Sequence, residues 1–195
     1  MRSLRCRRGN FSRRAWSRAV ALPIAAIMLF VGGFYVGSAW AGNWTTTDNA
    51  YKAGDSNVVF DQCALQTNTH NAFHANDSHD IEPTQITTTL YHRGCDTDDV
   101  RINDYAYGTS RPTGWYECHA FHSSQNCNRG HAHINTSYSN IPENYNRTLT
   151  LVCEEIGHSV GLAHRKSGEP ASCMGADLSW LHLSGHDQTV INNHY

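Results

Sequence analysis

The stretch from Cys153 to His164, Cys-Glu-Glu-Ile-Gly-His-Ser-Val-Gly-Leu-Ala-His, limits this chain more than any other. Leu149, Val152 and Ile156 recur at spacings of three and four, which predicts a helix over 148–158 with one buried stripe. On such a helix residues 154 and 158 lie one turn apart on the same face, so both side chains reach one point. Residue 155 lies about 100° round the helix, beside that point but off it. Gly161 takes positive φ without penalty and lets the chain turn back, which brings His164 toward the same place. Two imidazoles and a carboxylate make a donor set that binds Zn2+ and leaves a fourth position for water. A neighbouring carboxylate can take that water's proton. The spacing therefore predicts His158 and His164 as metal ligands, Glu155 as general base and Glu154 at the remaining ligand position. A carboxylate there leaves the site less positive than a third imidazole would, with a weaker pull on the water. Two readings of Glu154 stay open: a working third ligand, or the mark of a decayed site on a fold kept for binding.

The first 18 residues hold seven arginines and no acid; an apolar run over 21–36 follows, and Ala39-Trp40-Ala41 ends it. A basic start, an apolar middle and small residues at the end predict a signal peptide over 1–41, with an uncleaved signal anchor as the alternative. Taking those seven arginines from the 15 Lys+Arg leaves 8 bases against 17 acids in the exported part, a formal charge of −9. No basic stripe remains, so nucleic acid is not an expected partner. Six cysteines stay with the exported part: Cys63, Cys95, Cys118, Cys127, Cys153 and Cys173. An even number in an exported domain predicts three disulfides, and about 15 pairings are possible. Cys118 with Cys127 would close a hairpin; Cys153 with Cys173 would tie the start of the site helix to the loop beyond it.

Along the exported part, residues 42–57 are polar and read as a flexible start. Apolar residues at 60, 64, 65, 72 and 73 give a passable helical face over 60–75. Residues 86–91 are β-branched and aromatic, and 99–104 alternate, with Val100 and Ile102 on one face; both read as strands. Residues 108–114 read as a loop. Residues 115–121 and 131–137 read as two more strands, joined by the polar segment 123–130. Ser184 followed by Asp187 reads as a capping box that opens a last helix. Strands first and the best helices late predict an α+β domain over 58–195.

The residues from Glu155 to His164 resemble the metzincin zinc peptidases, in particular the matrixin-like branch and its small secreted bacterial members. Their signature is H-E-x-x-H-x-x-G-x-x-H, and Glu154 stands here where that signature has its first histidine. Ser172-Cys173-Met174-Gly175 lies where those proteins carry the Met-turn, which the resemblance implies would set Met174 beneath the metal. Leu183 to Asp187, with Ile191 and Tyr195, is similar to their closing helix. The Cys95 to Ile102 segment and the strand from Gly130 to Asn135 add a looser likeness. The resemblance implies a twisted mixed sheet with an edge strand over the cleft, a long site helix behind it and a last helix after the Met-turn. It also implies a secreted zinc endopeptidase acting on protein or peptide substrates. We expect a monomer that touches a membrane only through an uncleaved leader. A third expectation, a histidine-rich metal-binding protein without catalysis, draws on the 13 histidines. Of these, His70 with His74 and His131 with His133 share faces, and both pairs read as solvated polar residues.

Overall fold

Phe60 on a strand and Phe73 on a helix meet edge to face, ring centroids 5.5 Å apart, and the sheet and first helix are joined around this contact. It is seen in a computed structural model of the chain, which describes residues 52–91, 95, 99–122, 126–165, 168–175 and 178–195. The leader, and the flexible start as far as residue 51, lie outside the described residues. Six strands form one sheet: β1 (Lys52–Ala53), β2 (Asn57–Cys63), β3 (Thr87–Tyr91), β4 (Val100–Tyr105), β5 (Gly114–Phe121) and β6 (Asn126–Asn135). Three α-helices accompany it: α1 (Thr67–Asn76), α2 (Tyr145–Ser159) and α3 (Gly185–Asn192). A π-helical turn, Asp77–Ile81, continues α1. This is a mixed α+β chain with a mostly parallel sheet. β2 pairs in parallel with β3 and β4, and β4 pairs in parallel with β6. β1 runs parallel to the first residues of β6, and β5 alone is antiparallel.

The alternation expected of 99–104 is present: Val100 and Ile102 are buried while Arg101 and Asn103 are half-buried. Val58, Phe60, Val100, Ile102 and Ile134 join Leu151 and Ile156 of α2 in the core. Asn76 Nδ2 donates to the Leu149 carbonyl at 2.9 Å, a buried polar link between α1 and α2.

Three sequence expectations need correction. The helix expected over 60–75 begins only at Thr67, because Val58, Val59 and Phe60 are β-branched or aromatic and are taken up by β2. The end of the expected flexible start is in the sheet, with Ala53 of β1 1% exposed and register-paired with Cys127. The strand expected from 131 starts at Asn126, and the polar segment before Gly130 belongs largely to it. Pairing with β5 satisfies its backbone whatever the polarity of its side chains. The last helix begins as expected: Ser184 Oγ accepts from Asp187 N at 3.2 Å, and Asp187 Oδ2 accepts from Ser184 N at 2.9 Å.

Candidate metal centre

α2 starts where Asn144 Oδ1 accepts from Arg147 N at 3.2 Å, and from Thr148 to Ser159 every residue of it is buried. A polar group on such a helix needs a partner inside the protein. The helix ends in a Schellman motif: Gly161 N donates to the His158 carbonyl (3.1 Å) and Leu162 N to the Gly157 carbonyl (2.8 Å). Gly161 takes φ +97°, as the turn requires. The turn also holds a candidate ligand ring, since His158 Nδ1 donates to the Leu162 carbonyl at 2.8 Å and leaves Nε2 as the lone-pair donor.

The turn returns His164 to the helix. His164 Nε2 lies 2.8 Å from Glu154 Oε1, and the His158 and His164 rings stand 4.8 Å apart at 82°. One donor atom from each of Glu154, His158 and His164 lies within 4.8 Å of the others. The three ligand positions expected from the spacing thus converge. Glu154 and His158 are buried and His164 is half-exposed, so the group opens on one side only. Burial, helped by His164, pushes His158 down to about 4, so its imidazole is neutral at physiological pH. In a tetrahedral zinc site neighbouring donors are separated by roughly 3.3 Å, so a slight opening of the Glu154–His164 contact admits the ion. Two imidazoles and a carboxylate suit zinc chemically, and the residues present fit such an ion.

Glu155 is 3% exposed, and burial, then the neighbouring Glu154, raises its carboxyl well above the ordinary range. Oε2 has no hydrogen-bond partner among the described residues. Oε1 presses against the backbone of Gly114 on β5: a Cβ there would overlap it and would come within 2.8 Å of Leu151 Cδ1. Met174 is fully buried with its sulfur against Gly157, one residue before His158, where any Cβ would overlap it. Its turn is held by Ser172, whose Oγ accepts from Met174 N and whose carbonyl accepts from Gly175 N, both at 3.0 Å. Arg165 N, next to His164, donates to the Met174 carbonyl at 2.9 Å.

The cysteines pair as Cys63–Cys95, Cys118–Cys127 and Cys153–Cys173. Cys153 precedes Glu154 and Cys173 precedes Met174, so the third bridge joins the two halves of the centre. Such bridges fit an oxidising compartment. Among the described residues no helix is long and apolar enough to cross a membrane.

Sequence reasoning missed Gly114 and Gly157, because a close approach across the fold leaves no mark in local spacing. His70 and His74 do share a face of α1, and both meet Gln62, at 2.7 and 3.1 Å. Neither belongs to a group of three possible metal donors among the described residues. No family model and no curated protein matches this sequence.

Proposed function

We propose that this chain is a secreted zinc endopeptidase of the metzincin type, matrixin-like, with a Glu-His-His ligand set. The observation that carries the reading is the convergence of Glu154, His158 and His164 beside the buried Glu155. Zinc bound in that position would acidify a water for attack on a peptide carbonyl and would polarise that carbonyl. Glu154, His158 and His164 would hold the ion, and the Leu162 carbonyl keeps the His158 ring turned with Nε2 free to ligate. Glu155, buried beside the ligand group, would take the proton of the attacking water and deliver it to the leaving amine. Met174 supports the helix from below at Gly157. β5 runs antiparallel to its neighbour and packs on the Glu155 carboxylate through Gly114. An extended polypeptide laid along β5 would bring its scissile bond to the centre, which makes proteins and peptides the substrate class. The acidic balance of the exported part argues against nucleic acid, and the six paired cysteines support export.

One residue favours a second reading. Glu154 stands where the signature has its first ligand histidine, as it would in a decayed centre kept as a binding module. Zinc counting by elemental mass spectrometry on the exported chain separates the two. A working centre loses one zinc per chain in His158→Ala and in Glu154→Ala, and Glu155→Gln keeps its zinc while losing hydrolysis of an unfolded protein substrate. Equal zinc in the parent and in His158→Ala, with no hydrolysis by the parent, would sink the peptidase reading.

A further inference from the structure

β3 ends the sheet: it pairs with β2 on one side and, among the described residues, with no strand on the other. Thr87 N donates to the Ser56 carbonyl at 2.7 Å, so Thr87, Thr89 and Tyr91 turn their main-chain groups toward β2. Thr88 and Leu90 alternate with them and turn theirs outward, which leaves a row of donors and acceptors along a free edge. The side chains alternate as well. Thr88 Oγ1 donates to Asp77 Oδ2 at 3.3 Å on the side of the π-helical turn, while Thr87, Thr89 and Tyr91 are exposed on the other. Free edges are commonly blunted by a charge, a proline or a bulge. Thr87–Tyr91 carries no charged side chain and no proline, and its register with β2 is unbroken. The opposite edge differs, because β5 is interrupted by a bulge after Cys118, where Ala120 pairs with Arg129.

We infer that β3 is a self-association edge, whose occupant is β3 of a second copy of this chain, running antiparallel about a two-fold axis at Thr89. In that register the strand is complementary to itself. Thr88 stands opposite Leu90 of the second copy, and Leu90 opposite its Thr88. Each pair exchanges both N–H···O bonds, so every outward main-chain group of the two residues finds a partner. On the exposed face Thr89 meets Thr89 of the second copy, and Thr87 meets its Tyr91, pairs that stabilise neighbouring strands. Charge favours the same occupant. The exported part is acidic, so two copies repel one another in most approaches, and an uncharged edge lets them meet without opposed carboxylates. A basic partner would be drawn to the acids instead. A two-fold pair uses the free edge of both copies and closes there, without growing into a fibre. The contact is small, so the dimer forms at micromolar rather than nanomolar concentration. This association replaces the monomer expected from the sequence, and it stands whether or not the helix centre binds metal.

The test is sedimentation equilibrium on the full exported chain from about 1 to about 200 µM, the range in which so small an interface associates. The parent should pass from monomer to dimer across that range. Thr89 is exposed in the single chain, so Thr89→Lys and Thr89→Glu should fold as the parent does. Each should lose the dimer, because like charges then meet on the axis. An equal mixture of the two should dimerise again, since lysine now faces glutamate. Thr88→Pro should lose the dimer by a different route. It deletes one outward N–H, and proline is tolerated in an edge strand where that N–H faces solvent. Unchanged circular-dichroism spectra report that the variants are folded. A parent that stays monomeric throughout the range overturns the inference, as does a dimer that persists in folded Thr89→Lys and Thr88→Pro. A mixture no more dimeric than its two components overturns the two-fold register at Thr89.

Discussion

Gly157 and Gly114 show how a missing side chain can position a present one. Alanine at Gly157 would gain about 1 kcal/mol of helix propensity, but its methyl overlaps the buried Met174 sulfur, and overpacking of that kind costs about 1–3 kcal/mol. We expect Gly157→Ala to lose about 1 kcal/mol net in urea unfolding. Gly114→Ala acts on the neighbouring carboxylate instead. Its methyl forces Glu155 away from β5, so peptide hydrolysis should fall by about 10- to 100-fold while the zinc count at the helix centre stays the same. A fall in hydrolysis matched by a fall in zinc would mean that the change had damaged the ligands instead. The convergence of Glu154, His158 and His164 is legible in sequence because it obeys local rules, helical spacing and one glycine turn. Gly114 and Gly157 obey none, since their neighbours come from other elements.

At the scale of elements, α2 carries the centre, and its start is set by Asn144 rather than by the apolar stripe. The stripe alone placed the helix at 148, three residues inside its true start at Tyr145. Asn144→Ala removes the cap and should cost about 1 kcal/mol of stability, read from the midpoint of thermal unfolding. The β2 segment was misread for a related reason: a 3.6-residue pattern can be drawn through Phe60, Ala64, Leu65, Ala72 and Phe73 although Phe60 belongs to a strand. Both elements bury the same face, and Phe60 and Phe73 meet across it. The β5–β6 hairpin shows the opposite case. The shared strand face of His131 and His133 was visible, but Glu117 and His119, which meet them there, could not be matched to it without the register and the bulge.

Across the whole molecule, buried carboxylates on the turn after α1 join distant parts of the chain. Asp80, 1% exposed, accepts from His79 and from His182 and Leu183 near the C-terminus, at 3.0, 3.1 and 3.1 Å. Asp77 is less well served, with one bond from Thr88 and Oδ1 unpartnered among the described residues. Burial, opposed by Thr88 and reinforced by Glu82, raises its carboxyl from 3.8 to about 6. A raised carboxyl costs nothing where both folded and unfolded chains are protonated. The cost grows as pH rises from about 4 to about 6 and is then constant. Asp77→Asn should therefore stabilise the chain at pH 7 by about 3 kcal/mol, and the gain should vanish near pH 4. Thermal melts at the two pH values check this; equal gains at both would contradict it. The Cys153–Cys173 bridge spans 20 residues, and its removal should cost about 3 kcal/mol. That bridge also dictates an order of assembly. Both sulfurs are shut away from solvent in the finished fold, so a reductant reaches them only when the chain opens. A chain with that bridge reduced would carry Glu154 and Met174 on untethered segments. The bridge must therefore close before the fold shuts its sulfurs in, and once shut it outlasts any reductant that the folded chain meets.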